Sequence, residues 1–94
     1  MIVVIATITF KEEHWEEGKR ELEKLIVPTR AEEGCIQYDL HQNTSQPTEF
    51  VFYERWESKA HLDKHAATNH IATYRAATTP LLTNTSKVAI YELC

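Results

Sequence analysis

The sequence predicts an α+β fold in which helices pack on one side of an antiparallel sheet. The order of elements reads β-α-β-β-α-α-β, a split β-α-β arrangement. Period-two strands and period-3.6 helical stretches follow one another without a linker, repeat or low-complexity run. The length, 94 residues, makes residues 1–94 a single domain. A chain this short buries only ~60–65% of the surface its unfolded form exposes, so a second copy would enlarge a modest core.

Residues 2–10 form the first strand and are apolar on both faces. Ile2, Val4, Ala6, Ile8 and Phe10 line one side; Val3, Ile5, Thr7 and Thr9 line the other. The run is apolar enough for a signal peptide, but it lacks a basic leader, is rich in β-branched residues and meets Lys11-Glu12-Glu13, so it reads as a strand. Residues 12–32 switch to helical spacing. Trp15, Gly18, Leu22, Leu25, Ile26 and Thr29 share a stripe, with Glu16–Arg20 and Lys19–Glu23 pairs outside it. Gly18 lets that helix approach the sheet closely. Pro28 is expected to kink the last turn, and Gly34 to end it.

Residues 35–42 and 49–56 alternate as two strands around the turn-rich segment 43–47. In the first, Ile36, Tyr38 and Leu40 face one way, and Cys35, Gln37, Asp39 and His41 the other. In the second, Phe50, Phe52, Glu54 and Trp56 oppose Val51, Tyr53 and Arg55. Ser58 caps a short helix through His65; Thr68 or Asn69 caps another that carries Ile71, Tyr74 and Ala77 towards Pro80. Residues 86–93 close the chain as a strand. Apolar residues on both faces of several strands require a cover for the second face. The cheapest is a homodimer, two sheets closing face to face.

Composition excludes several functions. Lys plus Arg number 10 against 14 for Asp plus Glu, a net charge of −4, which offers no basic field for nucleic acid. Gly18 and Gly34 are the only glycines, so neither a phosphate loop nor a dinucleotide fingerprint can be written. Cys35 and Cys94 form no CxxC pair or disulfide framework, which fits a reducing cytoplasm. With 43% hydrophobic and 26% charged residues, the chain reads as a soluble globular protein with no membrane association.

The chemistry-bearing residues cluster late in the chain. Trp56 and Glu54 share a strand face with Phe50 and Phe52. Aromatics there are ordinary core, but a carboxylate on an apolar face needs a partner or a use. Arg55, on the opposite face, is no partner for it. Glu57-x3-His61-x3-His65 stacks three metal-ligand types on successive helical turns, yet no cysteine is near and no Glu follows the first His. No metal is expected, and His61 reads as helix surface. His65 is flanked by Leu62 and Ala66 on the inner stripe. His70 sits in the first turn of a helix, where the dipole keeps an imidazole neutral. Each of these two is either a core or cap histidine or a base. Tyr38 and Tyr74 point inward and could offer hydroxyls to a pocket. Asp39 and His41 read as surface or interface, and Cys35 as a small buried hydrophobe.

Arg30-Ala-Glu-Glu-Gly-Cys-Ile-Gln-Tyr38-Asp-Leu, Glu49-Phe-Val-Phe-Tyr-Glu-Arg-Trp56, Ala60-His-Leu-Asp-Lys-His65 and Asn69-His70-Ile together resemble the antibiotic biosynthesis monooxygenase family, specifically its small quinol monooxygenase-like members, over essentially the whole chain. The resemblance implies a ferredoxin-like protomer and a dimeric α+β barrel. It implies oxygenation of an electron-rich aromatic, a quinol or anthrone, by O₂ without flavin, haem or metal. Trp56, Phe52, Tyr38 and Tyr74 would then form the substrate wall, His65 or His70 the base, and Glu54 its orienting group. Some relatives degrade haem with an Asn on the first strand and a late histidine. Thr7 and Thr9 stand here without an Asn, and His70 comes too early, which disfavours that activity. Others isomerise a phosphorylated signalling metabolite, for which Arg30 and Arg75 could supply cations. A non-catalytic dimeric binding protein for a small aromatic is the third reading.

Overall fold

The computed structural model describes residues 1–94. One antiparallel four-stranded sheet runs in the order β2-β3-β1-β4, built from β1 (Ile2–Thr9), β2 (Cys35–Gln42), β3 (Glu49–Trp56) and β4 (Lys87–Glu92). β3 lies between β1 and β2, which is the split β-α-β topology the element order predicts. Register places Val4 beside Glu54 and Ala6 beside Phe52, and across β2 sets Tyr38 beside Glu54. One face is therefore a continuous layer of Val4, Ala6, Tyr38, Phe50, Phe52, Glu54 and Trp56, all buried.

The first helical region is broken where a single helix is expected. A 3-10 turn over Glu12–His14 precedes α1 (Trp15–Glu23), and α2 (Ile26–Arg30) follows after a gap at Lys24 and Leu25. Pro28 explains the gap's position. It has no N–H to give the carbonyl four residues back, and its ring crowds that carbonyl, so the helix opens at Lys24 rather than at its last turn. Leu25 bonds instead to Leu22 O at 3.1 Å in a tighter turn. Gly18 meets the expectation of close approach: a Cβ there would stand 2.5 Å from the ring of Phe10, itself buried.

A β-bulge corrects the phase of β2. Cys35 pairs with Trp56 and Gln37 with Arg55, so Ile36 is the extra residue. Cys35 consequently packs on the core face, while Ile36, expected inside, is exposed. α3 (Lys59–Ala66) and α4 (Asn69–Thr78) complete the cover, with α3 against β3 and α4 against α1. Ser58 caps α3 and Thr68 caps α4, each hydroxyl accepting from the N–H three residues on. The cover stops short of β4. Val88 and Ile90 pair with buried Ala6 and Val4, yet remain 66% and 46% exposed. On the opposite sheet face, Val3, Ile5, Val51 and Tyr53 have no helix above them and are only half-buried. No helix is long and apolar enough to cross a membrane.

Candidate active site

The site begins at the α2–β2 connection. Gly34 adopts φ +85°, a conformation that favours glycine, and a Cβ there would lie 2.3 Å from the His61 ring. This bare glycine lets the first turn of α3 rest on the connection. One turn later, His65 is aimed inward, its ring 4.8 Å from Trp56 and 5.6 Å edge-on from Tyr38. Thr68 Oγ1 donates to the His65 carbonyl at 2.8 Å, tying the end of α3 to the start of α4 and setting His70 beside His65.

Glu32 draws the two histidines together. Its Oε2 lies 2.7 Å from His65 Nδ1 and 2.8 Å from His70 Nε2. A carboxylate only accepts, so both imidazole nitrogens carry the hydrogen. His65 Nε2 is then the lone-pair nitrogen, and it makes no bond to the protein. Burial pulls the His65 pKa down against the opposing pull of Glu32, so the ring is neutral at pH 7.

Glu54 finds a partner that strand alternation hides. Trp56, two residues on and on the same face, donates Nε1–H to Glu54 Oε1 at 2.9 Å. Burial nevertheless pushes the Glu54 carboxyl up to about 7; the Trp56 bond opposes this and the charge of Glu32 adds to it. At neutral pH this group is divided between acid and carboxylate. Tyr38 stacks on Phe52 at 4.3 Å, and burial raises the phenol pKa of both Tyr38 and Tyr74.

A cavity of about 490 Å³ lies between sheet and helices. Of the residues singled out in the sequence, His65, Glu54, Phe52, Tyr38 and Tyr74 line it. Trp56 and His70 do not: Trp56 sits fully buried beneath Glu54, and His70 lies behind His65 on Glu32. Val88 and Ile90 of β4, both exposed, line the cavity as well, and so do Lys87 and Arg75. His61 stands apart, 2.7 Å from Ser58 Oγ, so Glu57, His61 and His65 do not converge. Arg30 is engaged with Asp39 at 2.9 Å, away from the cavity that Arg75 lines. Glu32 is the residue missed in the sequence. It lies 33 and 38 positions from its histidines, so no local spacing marks it; the glutamates preceding Gly34 in the resembling segment were the one available signal.

A one-sided α+β sheet with an aromatic cavity beneath its helices, lined by a carboxylate-held histidine, defines a ferredoxin-like protein with an interior pocket. Residues 1–77 match the antibiotic biosynthesis monooxygenase family, and the chain belongs to it. It is 37% identical over 93 residues to "Putative monooxygenase YcnE" of Bacillus subtilis, covering 99% of this chain and 98% of that one. It is 41% identical over 69 residues to "Putative monooxygenase Rv0793" of Mycobacterium tuberculosis, covering 73% and 67%. The crystal structure of PA3566 from Pseudomonas aeruginosa superposes with a TM-score of 0.92 at 39% identity, over 99% of this chain and 94% of that one. Proteins of the family are typically dimeric.

Proposed function

We propose that this chain, one domain over residues 1–94, is a homodimeric, cofactor-independent monooxygenase of the cytoplasm that oxidises a small electron-rich aromatic with O₂. The observation that carries the reading is the cavity itself: largely apolar, walled by Tyr38 and Phe52, and entered by a neutral His65 whose far nitrogen is fixed by Glu32. In an anthrone-type substrate, His65 Nε2 removes one proton of the activated methylene. The carbanion passes one electron to O₂, and the radical pair combines to a C–O bond in a pocket that keeps water out. The second methylene proton then leaves as the O–O bond breaks, giving a ketone and one water. Glu54, half protonated near pH 7, sits where it can donate to the substrate or peroxide oxygen. Glu32 is a positioning residue, Trp56 holds Glu54, and Tyr74 completes the wall.

Oxygen uptake against hydroquinones, naphthols and anthrones tests this. The wild type should exceed the enzyme-free rate, and His65→Ala should lose at least tenfold and up to ~10⁴ of it, about 1.4 to 5.4 kcal/mol in barrier. His70→Ala should lose less, since it acts through Glu32, and His61→Ala should turn over as wild type. Tight aromatic binding without uptake would instead assign a non-catalytic binding protein. The dimer is supported by the apolar, helix-free face of Val3, Ile5, Val51 and Tyr53. Light scattering at micromolar concentration should give about twice 10.9 kDa; a stable monomer would refute it.

A further inference from the structure

The oxygen and two nitrogens through which Glu32, His65 and His70 meet all lie within 4.8 Å of one another. Two imidazoles and one carboxylate form a ligand set that zinc accepts, with a further position left for water. The same set, rich in nitrogen, disfavours magnesium and calcium, which take oxygen ligands. The charge is suitable as well. Glu32 pairs only with the two histidines, and no Lys or Arg neutralises it. Arg75, which lines the cavity, reaches the Ala66 carbonyl instead. The three ligands come from the α2–β2 connection, α3 and α4, the two helices held by the Ser58 and Thr68 caps, so little ordering is needed on binding. Partial exposure of the His70 side chain, 23%, supplies a way in.

We propose that Glu32, His65 and His70 bind one first-row divalent transition ion, and that its occupancy switches His65 off as a base. A metal on Nδ1 of His65 sends that nitrogen's hydrogen to Nε2, the nitrogen with no protein partner. An imidazole with metal on one nitrogen and hydrogen on the other has no lone pair left and accepts no proton. A metal on Nε2 of His70 likewise leaves that ring's hydrogen on Nδ1. The binding half stands whatever reaction the cavity supports; the switching half rests on His65 as the base.

Zinc is the probe. Calorimetry on chelator-stripped protein should show one equivalent bound per chain. Cobalt substitution should give the visible absorption of a low-coordinate nitrogen–oxygen site. Glu32→Gln and His70→Ala should each weaken zinc at least tenfold, with His61→Ala unchanged. Circular dichroism checks each fold, and His70→Ala, on the partly exposed ring, carries the test if Glu32→Gln does not fold. Absence of a one-to-one site, or loss of binding in His61→Ala but not in His70→Ala, overturns the metal site. In an active wild type, stoichiometric zinc should abolish oxygen uptake and chelator restore it; binding without inhibition overturns the switch. A wild type that binds zinc but never consumes oxygen upholds the site and overturns the monooxygenase reading and the switch resting on it.

Discussion

The two halves of the helix-facing sheet surface are built from the same kinds of residue and behave differently. Over β2 and β3, Tyr38, Phe52, Glu54 and Trp56 are buried, and the one carboxylate among them has a donor. Over β4, Val88 and Ile90 continue the same pleated rows but stand exposed where they line the cavity. Helix placement makes the difference. α3 lies on β3 because Gly34 and the Ser58 cap seat it there, whereas β4 packs chiefly against β1. The closed half holds the chemistry in place, and the open half leaves room for something to enter. A one-sided α+β sheet can thus carry an interior site without surrendering its core.

The sharpest way to break the contrast is Trp56→Ala. Removing a fully buried ring should cost about 3–5 kcal/mol, read as a fall in the urea midpoint. Loss of stability below 1 kcal/mol would mean that the closed half is not packed as described.

Glu54→Gln sharpens the contrast through pH. Glu54 carries a pKa near 7 when folded and 4.5 as its ordinary value. Between these values the folded chain keeps a proton that the unfolded chain has released. The contribution to stability is complete below pH 4.5 and is lost as pH rises through 7. Its full size is on the order of 3 kcal/mol. Denaturation of the wild type across this range should show that decline, and Glu54→Gln should flatten it. An unchanged slope in the variant would assign the decline to another group.

Val88→Ser and Ile90→Ser should change protomer stability least, by roughly 0.5 kcal/mol or less, because both residues are already exposed. Their effect should appear in ligand affinity, as weaker binding of an apolar aromatic measured by fluorescence. A large stability loss instead would show that β4 is covered in solution.

Most of the fold was legible in the residue pattern. Alternation set β1, β3 and the inner rows, because each side chain's face follows from the strand period. Ser58 and Thr68 announced the two late helices through their capping chemistry. Two local departures were not legible. The bulge at Ile36 shifts phase by one residue, and nothing in Cys35-Ile36-Gln37 distinguishes it from regular alternation. Pro28 signalled a kink, but its clash falls four residues upstream, where the break occurs.

The sequence by itself determined the sheet, its helices, the family and the residue types of the site: aromatics, Glu54, His65 and His70. Tertiary structure alone decided which of them meet. It brought Glu32 across more than thirty positions to both histidines, gave Glu54 its Trp56 donor, turned His61 away and left Trp56 behind the cavity wall. The physical reason is range. Strand and helix periods are fixed by neighbours a few residues apart, whereas hydrogen bonds between distant side chains depend on how the elements dock, and here one left-handed glycine and two hydroxyl caps set that docking.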